Sequence, residues 1–221
     1  FFDGISPEIK SAIEEALSFY EARGAQIVRI SIPALKVALP VYYIIACAEA
    51  SSNLGRYDGI RYGYRSERYQ NIDDMIYQTR SEGFGKEVKK RIMLGTYVLS
   101  SGYYDAYYKK ACLIRENINH EFEKLFDGRV DCLIAPVAPQ TAPPLGYKGT
   151  GSVEMYLSDI CTVPINIAGL PAVSIPCKKA ENGLPVGMQI IGAKFSEGQI
   201  LDIAYYFEQE YGNPFEGGEQ K

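Results

Sequence analysis

The hydrophobic and polar positions of this 221-residue chain begin with a helical period and continue with a strand-like one. Ser6 and Pro7 suit the N-cap and first turn of a helix, and apolar residues then recur three or four positions apart until Gly24. The stretch AQIVRISIP follows and is typical of a short strand over Ala25–Ile32. A helix followed by a strand favours the α/β class.

The middle of the chain is rich in helical patterns. From Pro40, the run VYYIIACAEASSNL is apolar nearly all round, which predicts a buried helix that ends near Gly55. Helical periods continue through NIDDMIYQTRSE, FGKEVKKRIMLGTYVLS and the long YYDAYYKKACLIRENINHEFEKLF. Residues 70–126 are therefore predicted to form a helix-rich segment.

The pattern changes again in residues 130–195, which are strand-rich. VDCLIAP is typical of a buried strand, and the proline-rich PVAPQTAPPLG predicts a loop because proline fits neither a helix interior nor a central strand. GLPAVSIPC and GLPVGMQIIG predict two further strands. A terminal helix is predicted over 196–211, with Ser196 as its N-cap.

Composition and charge narrow the functions open to the chain. Hydrophobic residues make up 47% and charged residues 23%, which predicts a globular domain with a real core. The net charge of −4 disfavours a general nucleic-acid binder, although a local basic patch stays open. We expect no apolar run to approach the ~20 residues that a bilayer-spanning helix needs.

The cysteines and the single histidine do not indicate a metal site. No two of the five cysteines form a CxxC pair, and His120 is the only histidine, so a zinc site built from neighbouring ligands is disfavoured. Scattered thiols of this kind are typical of reduced, buried and unreactive cysteines in a cytosolic protein. His120 is predicted to lie on the protein surface. The cysteines are Cys47, Cys112, Cys132, Cys161 and Cys177.

Residues 51–69, SSNLGRYDGIRYGYRSERY, combine four tyrosines and four arginines with glycines. The spacing of Gly55, Gly59 and Gly63 matches neither GxGxxG nor GxxxxGK[ST], so a phosphate-binding loop is disfavoured. The remaining interpretations are a turn with packed tyrosines, a pocket rim, or a surface that contacts RNA or another protein chain. The segment LSSGYY holds two serines, but it lacks a G-x-S-x-G elbow.

Five blocks of the sequence together resemble a known family. They are ASSNLGRYDGIRYG, RSEGFGKEVKKRIMLGTYVLSSGYYDAYYKKA, DCLIAPVAPQTAP, PINIAGLPAVSIP and GLPVGMQIIG. In this order they resemble the amidase signature family and, within it, the C-terminal half of the A subunits of glutamyl-tRNA(Gln) amidotransferases. The resemblance implies that residues 1–221 are the C-terminal half of a single amidase domain. It also implies an α/β fold with a mixed sheet covered by helices.

The resemblance implies a role in a cytoplasmic, tRNA-dependent amidation with no membrane partner. The A subunit would release ammonia from glutamine, and partner subunits B and C would complete a heterotrimer. ATP and Mg²⁺ are expected at a partner subunit, which also holds most of the Glu-tRNA(Gln). The serine, second serine and lysine of the family lie in the N-terminal half. This sequence has no such signature, so we expect no catalytic residue in it and no activity from the isolated chain.

Recognition of glutamine requires a partner for its carboxylate and another for its ammonium group. The resemblance places Arg91 in KKRIMLG at the carboxylate, where a planar guanidinium can bind both oxygens. It places Asp159 in MYLSDICTVP at the amino group and Tyr42 in PVYYIIA on the same ligand, with Tyr43 leaving the register open. The residues alone leave open a solvated helix charge at Arg91 and a helix-cap or loop acid at Asp159.

Two other functions remain open from the sequence. The chain could belong to an amidase that acts on another small amide, which a panel of amide substrates would reveal. It could also be a module that contacts RNA or docks a partner protein through the loop of tyrosines and arginines, which a salt-dependent binding measurement would reveal.

Overall fold

The computed structural model describes residues 4–128, 130–147 and 157–212 of the chain. The chain divides into two compact units. We call the first the sheet unit, which combines Phe1–Leu39 with Arg115–Lys221, and the second the helical unit, which is Pro40–Ile114. The α/β class predicted from the sequence is confirmed.

The start of the first helix in the sheet unit is determined by its N-cap residue. Helix α1 spans Pro7–Glu21, and the Oγ atom of Ser6 accepts a hydrogen bond from the Ile9 amide at 3.3 Å. This bond satisfies one of the amide groups that a helix N-terminus leaves without an intrahelical partner. The buried face of α1 includes Ile9 and Ile13. The predicted start of this helix is confirmed.

Three strands form an antiparallel sheet in the order β1-β3-β2. They are β1 (Leu133–Pro136), β2 (Ala172–Lys179) and β3 (Pro185–Ile191), as the sequence predicts. Gln189 at the centre of β3 lies opposite Ala135 of β1 on one side and Ser174 of β2 on the other. β1 therefore uses one edge to pair with β3 and leaves its other edge at the end of the described sheet.

The core of the sheet unit lies between the sheet and two helices. Alternate residues of β3, namely Val186, Met188 and Ile190, are buried in one hydrophobic cluster because successive side chains of a strand point to opposite faces. Helix α1 and the terminal helix α7 (Glu197–Tyr211) pack against this cluster. The short helix α6 (Val163–Ala168) ends at Gly169, whose φ of 63° lies in the left-handed region.

The terminal helix begins where the sequence predicts, but its cap differs. Ser196 is the N-cap residue of α7, yet no helix amide donates to its side chain. Its hydroxyl instead donates to the Ala193 carbonyl at 2.8 Å. The hydroxyl lies over Gly192, where a Cβ atom would come within 2.2 Å of it. Tight packing in the preceding turn therefore directs this side chain away from the helix end.

The predicted strand over Ala25–Ile32 is wrong for this structure. Residues 25–32 have no regular secondary structure, and Val28 and Ile30 are 62% and 40% exposed. An alternating pattern makes a segment fit for a strand, but a strand exists only where another strand supplies hydrogen bonds. Within the described ranges, the sheet pairs only β1, β2 and β3, and none of them pairs with this segment.

Helices dominate the helical unit, as predicted. Helix α2 spans Ala38–Leu54, α3 spans Ile72–Gly83 and α4 spans Lys86–Leu99. The last predicted helix differs at its start, because Tyr104–Lys109 forms a π-helical turn that leads into α5, Lys110–Phe126. Part of α5 thus belongs to each unit.

One helical run corrects an expectation about membranes. Together, a short 3₁₀ helix and α2 cover Pro33–Leu54, which is 22 residues long and apolar enough to cross a membrane by length and composition alone. No run of that kind was predicted from the sequence. A single such helix is weak evidence for a membrane span, because the core helix of a soluble protein meets the same criterion.

Candidate functional site

Arg91 lies on α4, and its guanidinium forms an ion pair with a carboxylate of the same helix. The Nε atom donates to Glu87 Oε1 at 3.1 Å, an ion pair between residues four positions apart. This hydrogen bond is the main reason that the pKa of Arg91 is raised above its ordinary value. The side chain is 36% exposed, and the bond to Glu87 uses one of the five N–H donors of a guanidinium. Arg91 can therefore serve as a positioned anion partner.

A close approach between α4 and α2 determines what surrounds Arg91. Gly95, one turn after Arg91, is buried so tightly that a Cβ atom there would lie 2.0 Å from the Cys47 carbonyl oxygen. Beside this contact, the hydroxyls of Ser51 and Thr96 share a hydrogen bond of 2.9 Å. Residues four positions apart on a helix share a face. The contact at Gly95 and Cys47 therefore turns Arg91 toward the part of α2 that holds Tyr43.

The two tyrosines of α2 lie beside Arg91 in different ways. The Arg91 Cζ atom is 5.8 Å from the ring centroid of Tyr43, within the range of a cation–π contact. Tyr42 packs edge-on against Tyr43, with ring centroids 5.1 Å apart and an interplanar angle of 76°. Tyr42 also contributes to the raised pKa of Arg91. Arg91 and Tyr42 thus lie near each other, and the ring that Arg91 contacts is that of Tyr43.

Asp159 belongs to the sheet unit, in the turn before α6. Its backbone carbonyl accepts hydrogen bonds from the amides of Thr162 at 3.1 Å and Val163 at 3.0 Å, which fixes the turn. Its side chain is exposed, and Ser158 Oγ donates to its Oδ1 atom at 3.4 Å. Met155 and Tyr156 of the same motif lie outside the described residues. Asp159 is therefore a positioned surface acid on a different unit from Arg91 and Tyr42.

The loop of tyrosines and arginines is anchored on α3. The Ser66 amide donates to Thr79 Oγ1 at 3.1 Å, and the two residues are only 1% and 4% exposed. Gly59, with a φ of +82°, packs where a Cβ atom would lie 2.8 Å from the same hydroxyl. Arg80 Nη1 donates to the Leu54 and Tyr57 carbonyls at 2.8 and 3.2 Å. The loop is therefore an ordered part of the helical unit, although its four tyrosines are 41–55% exposed.

Comparison with known proteins identifies the family. The family model described as Amidase matches residues 1–201. The chain belongs to the amidase family. The match covers the helical unit, every strand of the described sheet and the sheet unit as far as residue 201.

Relatives within the amidase family support the finer resemblance found in the sequence. The glutamyl-tRNA(Gln) amidotransferase A subunit of Caldanaerobacter subterraneus subsp. tengcongensis is 56% identical over 211 residues, covering 96% of this chain and 43% of the relative. The protein of the same name from Thermoanaerobacter pseudethanolicus is 56% identical over 209 residues, covering 95% and 42%. The resemblance to A subunits is therefore confirmed.

A solved structure gives the same result. The crystal structure of the glutamyl-tRNA(Gln) amidotransferase A subunit from Thermotoga maritima matches with a TM-score of 0.68 and 37% identity, covering 93% of this chain and 39% of that chain. This amidase-family chain thus spans about two fifths of the length of the relatives that it matches.

Burial suppresses the thiolate form of four cysteines in this amidase-family chain. All five thiols are free, and Cys47, Cys161 and Cys177 are buried. Burial raises the pKa of both Cys161 and Cys177 to about 11, and it raises the pKa of Cys47 and Cys132 as well. Because the thiolate is the reactive form, these side chains stay protonated and inert near neutral pH. The expectation of buried thiols is confirmed at Cys47, Cys161 and Cys177, whereas Cys112 and Cys132 are only partly buried.

His120 and Ser100 take part in local contacts. The Nδ1 atom of His120 lies 3.1 Å from Glu123 Oε2, and the imidazole is 63% exposed, which confirms the predicted surface histidine. Ser100 Oγ donates to the Tyr97 carbonyl at 2.8 Å at the C-terminal end of α4. Within residues 4–128, 130–147 and 157–212, no group of three or more His, Cys, Asp or Glu side chains is placed to hold a metal ion.

Two residues important for the geometry of Arg91 were not singled out in the sequence. Glu87 could have been found, because an acid four positions before an arginine on a predicted helix is a recognised pairing signal. Gly95 inside a helical pattern also indicates a close packing contact, because a glycine lowers helix stability relative to alanine and usually has a packing reason. The carbonyl that it meets, on Cys47, could not be read from the sequence.

Proposed function

We propose that this chain is the glutamine-binding part of the A subunit of a glutamyl-tRNA(Gln) amidotransferase. The observation that carries the proposal is the 56% identity, over 96% of the chain, with a protein of that name. In this proposal the subunit converts glutamine and water into glutamate and ammonia. The ammonia then serves to convert Glu-tRNA(Gln) into Gln-tRNA(Gln).

The role proposed for this chain is to hold glutamine by its charged end. Arg91 would bind the α-carboxylate, because its guanidinium is prepositioned by Glu87 and still has further N–H donors to offer. Asp159 would bind the α-ammonium group, and Tyr42, or Tyr43 beside it, would contact the same ligand. A site of this kind selects glutamine over neutral amides, since an amide without the two charges cannot make either charged contact.

The covalent steps are assigned to the part of the family that this chain does not span. A serine, supported by a second serine and a lysine, would attack the side-chain amide of glutamine and expel ammonia. Water would then release glutamate from the serine. ATP and Mg²⁺ would act at a partner subunit. Subunits B and C would complete a cytoplasmic heterotrimer and hold most of the tRNA. The isolated 221-residue chain is then inactive.

Release of ammonia tests the proposal. The chain is joined to the remainder of the Caldanaerobacter protein, and we call this product the completed subunit. It is assayed beside the isolated chain on glutamine, asparagine and propionamide. The expected result is ammonia release by the completed subunit with a preference for glutamine, and none by the isolated chain. Turnover by the isolated chain would overturn the assignment of the nucleophile.

The same panel separates the alternative functions. Equal activity on propionamide and glutamine would favour an amidase for small amides. Tight binding of tRNA to the 221-residue chain, with a steep loss of affinity on raising the salt concentration, would favour an RNA-contacting module. The net charge of −4 leads us to expect weak tRNA binding.

A further inference from the structure

One edge of the Arg91 guanidinium is already in use within α4. Its Nε atom donates to Glu87 Oε1 at 3.1 Å, and Glu87 lies in the first turn of α4, where the helix N-terminus favours a carboxylate. A guanidinium carries one N–H donor on Nε and four on its two Nη atoms. The edge formed by the two Nη atoms is therefore the one left for a bidentate contact with the carboxylate of a ligand.

The face of the same guanidinium lies near an aromatic ring of α2. The Arg91 Cζ atom is 5.8 Å from the ring centroid of Tyr43, close to the outer limit of a cation–π contact. Glu87 and Tyr43 therefore restrict the guanidinium from two directions, along one edge and across its face. A long side chain loses rotamer freedom when it binds a ligand, and contacts that restrict it beforehand lower this cost.

We propose that Glu87 is a positioning residue for glutamine and that it acts through Arg91. By holding Nε, Glu87 would fix the rotation of the guanidinium so that the two Nη atoms meet both oxygens of the α-carboxylate. The inference rests on the proposed function, in which Arg91 binds that carboxylate. It goes beyond the family resemblance, which gives Glu87 no role.

A competing role for Glu87 is a direct contact with the α-ammonium group of glutamine through its second carboxylate oxygen. Glutaramate, which is glutamine without its α-amino group, separates the two roles. It keeps the carboxylate and the amide of glutamine but offers no ammonium group. A residue that positions Arg91 affects the binding of both compounds, whereas a residue that contacts the ammonium group affects glutamine alone.

Steady-state kinetics of the completed subunit test the inference. Glu87→Ala is expected to raise KM for glutamine, and Ki for glutaramate as its competitor, by about two- to fivefold, as suits a partly exposed ion pair, with a smaller change in kcat. Propionamide has no carboxylate, so its kcat/KM should change less than that of glutamine. Glu87→Gln keeps an oxygen that can accept from Nε, and its KM should lie between those of Glu87→Ala and the unaltered subunit.

A double-mutant cycle shows whether Glu87 acts through Arg91. In the Arg91→Ala background there is no guanidinium to orient, so Glu87→Ala should add no further rise in KM for glutamine. Asp105→Ala is the matched control, because Asp105 also lies in the first turn of a helix and pairs at 3.5 Å with a cation four positions later, Lys109. This control should leave KM for glutamine unchanged.

The inference is overturned by an unchanged KM for glutamine in Glu87→Ala or by a rise for glutamine without one for glutaramate. It is also overturned by an equal loss for propionamide, by a rise of the same size in the Arg91→Ala background, or by an equal rise in Asp105→Ala. Failure of the proposed function has a different signature, because Arg91→Ala itself would then leave the kinetics of glutamine unchanged.

Discussion

Gly95 on α4 lies against the backbone carbonyl oxygen of Cys47 on α2, where a Cβ atom would come within 2.0 Å of that oxygen. The absence of a side chain at this position is what allows the two helices to touch. One turn earlier on α4, Arg91 reaches to 5.8 Å from the ring of Tyr43. The geometry of the candidate anion partner therefore depends on a glycine that carries no chemistry of its own.

Gly95→Ala is expected to destabilise the helical unit by about 1–3 kcal/mol, because the backbone carbonyl that meets the new methyl group cannot move without displacing α2. The measurement is the free energy of opening of α4 by native-state hydrogen exchange. The control is Gly102→Ala, where a Cβ atom meets nothing within 4 Å. Equal effects of the two substitutions would contradict the close approach.

Thr79→Val is expected to loosen the loop of tyrosines and arginines. Valine keeps the shape of threonine but removes the hydroxyl that accepts from the Ser66 amide, and a buried amide without a partner costs about 1–3 kcal/mol. The Ser66 amide should then exchange its hydrogen faster. Thr79→Ser keeps the hydroxyl and should protect this amide better than valine does. Indistinguishable exchange in the two variants would count against the anchor.

Two buried thiols predict how the stability of the sheet unit responds to alkaline pH. Burial raises the pKa of Cys161 and Cys177 from 9.0 to about 11, so the folded state favours the protonated thiols. The contribution of these thiols to folding stability is fully present below pH 9, where they are protonated in both the folded and the unfolded state. It is lost as pH rises toward about 11, because the unfolded thiols ionise first. The expected loss is on the order of 1–3 kcal/mol per thiol.

Urea unfolding at a series of pH values checks this response. Replacement of both cysteines by alanine should flatten the fall in the free energy of unfolding between pH 9 and about 11. Each protein is compared with its own value at neutral pH, which removes the cost of the smaller side chains. A decline of the same steepness in the alanine variant would assign it to other groups.

Local signals predicted much of the sheet unit. The cap at Ser6 located α1, and the apolar runs after Gly-Leu-Pro located β2 and β3. These features depend on residues that are close in the sequence. The error over Ala25–Ile32 has the opposite origin, because strand formation depends on a distant partner that no local pattern reveals.

The candidate site was predictable only in part. Family resemblance named Arg91, Asp159 and Tyr42, and the ion pair of Arg91 with Glu87 follows from helical spacing. The contact of Arg91 with Tyr43 does not follow, because it depends on where two helices cross. Ser196 shows the same limit, since the packing at Gly192 redirects a hydroxyl whose position in the sequence is typical of a helix cap.

Lys109→Ala provides the control for the kinetics of Arg91 variants. Lys109 is also a cation on a helix of the helical unit, and its Nζ lies 3.5 Å from Asp105 four positions earlier. In the completed subunit, this substitution should leave kcat/KM unchanged for glutamine and for propionamide, which lacks both charged groups.

Substrate discrimination by Arg91 tests the role proposed for this chain most directly. The measurement is kcat/KM of the completed subunit for glutamine and for propionamide. Arg91→Ala is expected to lower kcat/KM for glutamine by about 10- to 100-fold through loss of a charged contact, with propionamide unchanged. Arg91→Lys should fall between, because lysine keeps the charge without the planar fork. Unchanged glutamine kinetics in Arg91→Ala, or an equal loss for glutamine and propionamide, would contradict a carboxylate contact at Arg91.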